Sequence, residues 1–255
     1  MISFIRFLFL FSLCTILTLP AAAQQATHVV VRAQAKDAKF IGTSMGGALI
    51  RITNADTGEL LAKGLTQGAT GDTQRLVTAP AERYGQLHTE DAAKFETVLE
   101  LSEPVFVTVE ATAPYAKRQA QVTSSTQLWL IPGKHITGDG IILEVPGFAI
   151  DVLSPQAHSR TPEGEIPIRA NVVMMCGCTV SDGGLWDSSG YEIRALIRHN
   201  NKIVDSVPLS FTGTPNTFEG TYLASEGGVY EIIVYAYDEK TGNTGVDRST
   251  VISKR

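Results

Sequence analysis

Val172-Val173-Met174-Met175-Cys176-Gly177-Cys178 concentrates two of the three cysteines and two of the four methionines of this 255-residue chain. Thiolate and thioether are soft ligands that favour Cu(I). In an extended strand, residues two apart face the same side. Met174, Cys176 and Cys178 therefore share one face and form a candidate copper site, provided Gly177 does not turn the chain. A disulfide between Cys176 and Cys178 competes with that reading. Extended i,i+2 Cα atoms lie about 6.6–7 Å apart, at or beyond bridging range, so this bond requires Gly177 to fold the chain. The small ring adds little stability, because loop-entropy gains grow with loop length, and it is readily reduced. The third reading is inert: one methionine belongs to a core strand and the thiols fill space at its end. A thiol–disulfide redox role would need a depressed thiol pKa, and neither cysteine has a basic neighbour in sequence to lower it.

A second chemical pattern, Gly42-Thr43-Ser44-Met45-Gly46, matches the G-x-S-x-G nucleophile elbow of serine hydrolases. That elbow needs a strand before it and a helix after it. Here Ala48–Ile52 alternates like a strand and runs into a hairpin turn, and only the 18 residues Gln24–Ile41 precede Gly42 once a leader is removed. The pattern reads as a glycine-rich turn entering a strand, so no catalytic residue is assigned and the chain is expected not to be an enzyme. Histidines at 28, 88, 135, 158 and 199 have no metal-ligand spacing. His88 stands out beside Glu90 and Asp91. Asp238, Glu239, Asn243 and Asp247 flank one turn, but a Ca²⁺ site wants six to eight oxygens, and turns use Asp and Asn for local hydrogen bonds.

The elements that must carry these residues are strands. Residues 1–23 read as a signal peptide: Arg6, an apolar run from Phe7 to Leu19, then Ala21-Ala22-Ala23 before Gln24. The run is short of the roughly 20 residues of a membrane span, although a retained anchor is the competing reading. Leu13 before Cys14 argues against lipoprotein cleavage. No later segment is apolar enough to span a bilayer, so an exported protein, periplasmic or secreted, is expected. Removing Arg6 from 21 basic residues leaves 20 against 26 acidic ones, with no basic run, which argues against nucleic acid.

Short apolar runs and alternations separated by Gly, Pro, Asn and Asp fill the remainder. Residues 28–33, 48–53, 59–64, 95–101, 105–111, 122–131 and 141–145 read as strands of a first domain, 24–146. A long polar excursion at 68–92 interrupts them, and loops of that length are usually functional or mobile. Thr89–Phe95 is the one helix candidate, with Thr89 as its cap. In a second domain, 147–255, strands are predicted at 148–153, 166–175, 191–199, 202–208, 217–222, 229–238 and 246–253. The fold class is all-β: two tandem Greek-key-type β-sandwich domains after a cleaved signal peptide.

Ala48–Ile52, followed by Asn54-Ala55-Asp56-Thr57-Gly58 and Glu59–Thr66, resembles the opening hairpin of transthyretin-like or carboxypeptidase-regulatory-like domains. Tyr230–Asp238 with Thr241-Gly242-Asn243-Thr244-Gly245 is similar to the closing hairpin of bacterial immunoglobulin-like domains. The resemblances imply binding or spacer modules. In immunoglobulin order, Cys176–Gly190 joins the second and third strands. That places it, with Glu239–Gly245, at the end facing the first domain, where Met45 or His88 could add ligands. His199 falls about 26 Å from that end, at roughly 3.3 Å per residue. Trp186 is expected to anchor the loop. Two functions follow as expectations: a non-enzymatic accessory protein handling copper through the Cys-Gly-Cys loop, or a structural or adhesive spacer offering 68–92 to a protein or glycan partner.

Overall fold

The computed structural model describes residues 23–80, 82–161 and 164–254; the predicted signal segment, up to residue 22, lies outside them. Seven strands come first: β1 (Gln25–Ala35), β2 (Leu49–Asn54), β3 (Leu60–Leu65), β4 (Phe95–Leu101), β5 (Val105–Ala113), β6 (Val122–Leu130) and β7 (Ile136–Val145). They form two sheets, β4-β1-β7 and β3-β2-β5-β6, with β1 antiparallel to β4 and parallel to β7. Alternation decides which face is inside. Val107, Val109, Ala111 and Ala113 of β5 and Ile50 and Ile52 of β2 point into the core, while their neighbours face outward. Strand β1 breaks the alternation. Val29 to Ala33 are all buried, because its second face is covered by the chain around Phe40 and Ala92-Ala93.

The second set is β8 (Phe148–Ser154), β9 (Ser159–Thr161), β10 (Glu165–Met174), β11 (Val180–Ser181), β12 (Trp186–Asp187), β13 (Glu192–His199), β14 (Lys202–Pro208), β15 (Ser210–Phe211), β16 (Thr217–Leu223), β17 (Gly228–Tyr237) and β18 (Thr244–Ser253). Its main sheets run β15-β16-β10-β8 and β14-β13-β17-β18-β9. This is immunoglobulin order: β8, β10, β15 and β16 take the places of strands A, B, D and E on one sheet, and β13, β17 and β18 those of C, F and G on the other, with β14 and β9 at its edges. The chain is therefore all-β, built as two tandem β-sandwiches. The buried apolar residues of both form one continuous cluster, which includes Met45, Val145, Phe148, Met175, Cys176, Cys178 and Trp186.

Two expectations are corrected. Thr89–Phe95 is a turn leading into β4, not a helix. The Thr89 hydroxyl bonds the Asp91 carboxylate at 2.7 Å instead of capping backbone, and the Ala93 amide bonds the Ala69 carbonyl at 2.8 Å. Cross-strand pairing of Gln67 with Lys94 and Ala69 with Ala92 claims the residues a helix would have used. The second correction concerns β10, which stops at Met174, so the alternation invoked for Met174, Cys176 and Cys178 ends before the cysteines. Both predicted Thr-Gly turns form. Asn54 caps the first through amides 56 and 57, and Gly58 and Gly242 take positive φ.

Candidate functional site

The Cys-Gly-Cys segment is a tight turn. Gly177 adopts φ 78°, its amide bonds the Met174 carbonyl at 2.7 Å, and the Met174 amide bonds the Cys178 carbonyl at 3.2 Å. Glycine accepts this left-handed conformation without steric cost. The turn brings the Cα atoms of Cys176 and Cys178 to 5.3 Å, and their sulfurs form a disulfide with an S–S length of 2.04 Å. Both cysteines are buried, whereas Gly177 and Thr179 face solvent. Met174 and Met175 are fully buried in the core.

The sulfur atom that does approach the turn comes from the other sandwich. A Cβ on Gly177 would stand 2.9 Å from Met45 Sδ. Met45 reaches that place on the Gly42–Gly47 segment, whose Thr43–Met45 portion is a short 3₁₀ turn closed by the Gly46 amide on the Thr43 carbonyl at 2.9 Å. A Cβ at Gly47 would sit 2.2 Å from the Thr66 carbonyl oxygen, so close backbone packing demands glycine there. The next element is β2, a strand. The G-x-S-x-G pattern thus delivers Met45 to the joint. Among the described residues no histidine hydrogen-bonds Ser44.

The loop from Cys176 to Gly190 lies at the joint between the sandwiches and is tied across it. Trp186 donates its indole N–H to the Asp37 carbonyl at 2.9 Å. Asn243, with no exposure, donates to the Lys36 carbonyl at 3.1 Å and accepts from the Gly147 amide at 2.8 Å. Farther out, Lys117 pairs with Asp151 at 2.7 Å, and Gln119 donates to the Ile150 carbonyl and the Asp151 carboxylate. Within the loop, β11 and β12 pair in parallel. The Asp187 carboxylate accepts the Ser189 amide, which holds its pKa below the usual carboxylate value. Acidic groups gather here. Burial first, then the charge of Asp238, raises the Asp37 pKa. Burial, then Asp238, Asp37 and Asp187, pushes Tyr191 up to about 12. Asp238 makes the local turn bonds expected of it, accepting from the Lys240 amide and the Thr241 hydroxyl, whereas the Asn243 side chain spends its bonds across the joint; Asp247 accepts the Val152 amide.

His88 is nowhere near this joint in the hydrogen-bond network. Its Nδ1 lies 2.6 Å from Asp139, which also accepts the Leu87 and His88 amides. Burial works to raise the Asp139 pKa, but these hydrogen bonds outweigh it and hold it below the ordinary value. Arg32 is the anchor that sequence reasoning missed. Buried on β1, it donates to the carbonyls of Ala92, Ala93 and Gly138 and lies over the Phe40 ring. Its pKa is lowered, chiefly by desolvation. The one signal was an arginine inside an otherwise apolar run, Val29-Val30-Val31-Arg32-Ala33. Arg32 and Asp139 together fasten the returning limb of the 68–92 excursion, at Ala92 and at Leu87-His88. The outer part encloses an open concavity of about 420 Å³ lined by Gln74, Arg75, Glu82, Gln86 and Leu87. His199 stacks on Tyr230 and bonds the Val229 carbonyl, at the start of β17, and makes no contact with the sulfur turn in this network.

Among the described residues no group of three or more His, Cys, Asp or Glu side chains is arranged to hold a metal, and no helix is long and apolar enough to cross a membrane. No family model and no curated protein sequence matches the chain. Among solved structures, an engineered protein aligns at 16% identity with a TM-score of 0.33, over 49% of this chain; the chain spans about a quarter of that protein's length, 24%. The fibronectin(III)-like modules of Clostridium thermocellum CbhA align at 11% identity and TM-score 0.30, covering 90% of this chain and 94% of theirs. Titin Ig tandem domains align at 10% identity and TM-score 0.26, covering 91% and 97%. Scores at this level carry no argument about function, and the fold assignment rests on the strand order itself.

Proposed function

We propose that this is an exported, non-enzymatic structural or adhesive module. In this reading residues 24–146 and 147–255 are two domains locked end to end, and the first offers the 68–92 excursion to a protein or glycan partner. The observation that carries it is the joint. A continuous apolar core runs through it, and Trp186, Asn243, Lys117 and Gln119 each bond across it. Interfaces between domains of one chain are by default small and mobile, and one with a continuous apolar core and satisfied polar ties resists that motion. The excursion is held by Arg32 and Asp139, which suits a surface kept ready for a partner. For the first domain we retain the transthyretin-like reading, supported by the Leu49–Asn54 and Leu60–Leu65 hairpin.

The test exchanges residues 72–86 for a short Gly-Ser linker and measures binding of purified protein to the native cell envelope and to a glycan array. Wild type and Cys176→Ser/Cys178→Ser bind, and the exchanged variant melts normally but does not. Undiminished binding by the exchanged variant sinks the reading. A second reading, soft-metal handling with copper, is favoured by the approach of Met45 to Gly177. A thiol–disulfide redox role, in which these cysteines would themselves be the attacking thiolates, has less support, since among the described residues no Lys, Arg or His hydrogen-bonds either cysteine.

A further inference from the structure

We propose that the joint is a redox-gated site for Cu(I), with the sulfurs of Met45, Cys176 and Cys178 as its three ligands. The inference adds to the presenting role and does not rest on it. The first ground is placement. Met45 is the only methionine that the other sandwich contributes to the joint, and its sulfur lies against the glycine between the two cysteines, where a Cβ would be 2.9 Å away. The turn that carries it is fixed by Gly46 and Gly47, both at positive φ, and by the Ala116 amide on the Met45 carbonyl at 3.1 Å. The second ground is chemistry. Met45, Cys176 and Cys178 are all buried residues. The three donors named, two cysteine sulfurs and a thioether, are soft. Two thiolates and a thioether select Cu(I) over Zn²⁺, which takes four ligands in a closed site. The third ground is access: Gly177 and Thr179 are exposed, so the turn meets solvent at its tip.

In the structure the cysteines are oxidised, which closes the site. Opening it takes two electrons and two protons. An exported dithiol protein supplies both: its thiolate attacks one sulfur of the Cys176–Cys178 bond, a mixed disulfide forms, and its second thiol resolves it. The partner leaves as a disulfide, and Cys176 and Cys178 become thiols. Cu(I) then displaces both thiol protons, leaving one cation on two thiolates. Because Met45 belongs to the first sandwich and the cysteines to the second, the ion bridges the joint.

The experiment titrates the full mature chain anaerobically with Cu(I) buffered by a chromophoric chelator, after reduction with a dithiol that is then removed. Reduced wild type takes up one Cu(I), and the oxidised protein takes up none. Met45→Leu, which keeps the apolar volume, weakens uptake at least tenfold, and Cys176→Ser abolishes it. Loss of two protons makes apparent affinity fall by about 100-fold per pH unit below the thiol pKa values. Failure of reduced wild type to bind at micromolar free copper overturns the site. Equal affinity in Met45→Leu overturns the three-ligand assignment. If Cys176→Ser does not fold, the oxidised-against-reduced and Met45→Leu comparisons still decide. The 72–86 exchange variant binds Cu(I) like wild type, which separates this claim from the presenting role.

Discussion

Trp186 and Asp37 are separated by 149 positions in sequence and joined by one hydrogen bond of 2.9 Å, from the indole N–H to the backbone carbonyl. The bond crosses from β12 to the turn after β1. It fixes the end of the second sandwich against the first. Trp186→Phe keeps most of the packing and leaves that carbonyl without its donor. Asp37 is exposed, so the expected cost is that of one ordinary hydrogen bond, about 0.5–1.5 kcal/mol, read as a lower midpoint in urea unfolding at unchanged slope. An unchanged midpoint would show that water replaces the indole and that the tie contributes nothing.

Gly177→Ala tests the turn. A Cβ there must accept φ 78° and displace Met45 Sδ from 2.9 Å. The left-handed conformation alone costs a non-glycine residue about 1–2 kcal/mol; Met45 is flexible and absorbs much of the contact. Thermal unfolding of Gly177→Ala and of Gly177→Ala/Met45→Ala separates the two contributions. The double variant recovers none of the backbone cost.

Asp139→Asn tests the excursion. The native pKa of Asp139 is depressed, so its contribution is fully present above the unfolded value of about 4 and is lost as pH falls through the folded one. Trypsin cleavage at Arg75 and Arg83, both in the excursion, should therefore be slow at neutral pH in wild type and fast in Asp139→Asn. A protease active in acid should cut the wild-type excursion more quickly below about pH 4. Equal cleavage of the two proteins at neutral pH contradicts the anchoring role.

Asp37→Asn has the opposite sign. The folded pKa of Asp37 is raised, by burial and then by Asp238. Its favourable contribution is present in acid and disappears as pH rises through the folded value, leaving an unfavourable carboxylate at neutral pH. Asn tolerates the positive φ of 57° found there. The variant should melt above wild type at pH 7, with the gap closing toward pH 4.

Much of this architecture was legible in the chain. Alternation gave the long strands, because Ile50 and Ile52 or Val107 and Val109 must share a buried face. Immunoglobulin order pointed Cys176 and Glu239–Gly245 toward the first sandwich, and the Asn243 and Trp186 bonds lie there. What stayed hidden depends on distant partners. Strands β9, β11, β12 and β15 have two or three residues and exist through their pairing, with no periodicity of their own. Thr89 looked like a helix cap until Ala92 and Ala93 were seen bound by Arg32 from β1. Met45 lay within a decoy hydrolase pattern, and nothing in its neighbours announced that it would touch a glycine 132 positions away.

The central claim is that the joint makes one cooperative unit of two sandwiches, and differential scanning calorimetry of the mature chain tests it most directly. The account predicts a single transition with calorimetric and van't Hoff enthalpies equal, split or broadened by Asn243→Ala, which removes the bonds to Lys36 and Gly147. Two separate wild-type transitions, unmoved by Asn243→Ala, would contradict it.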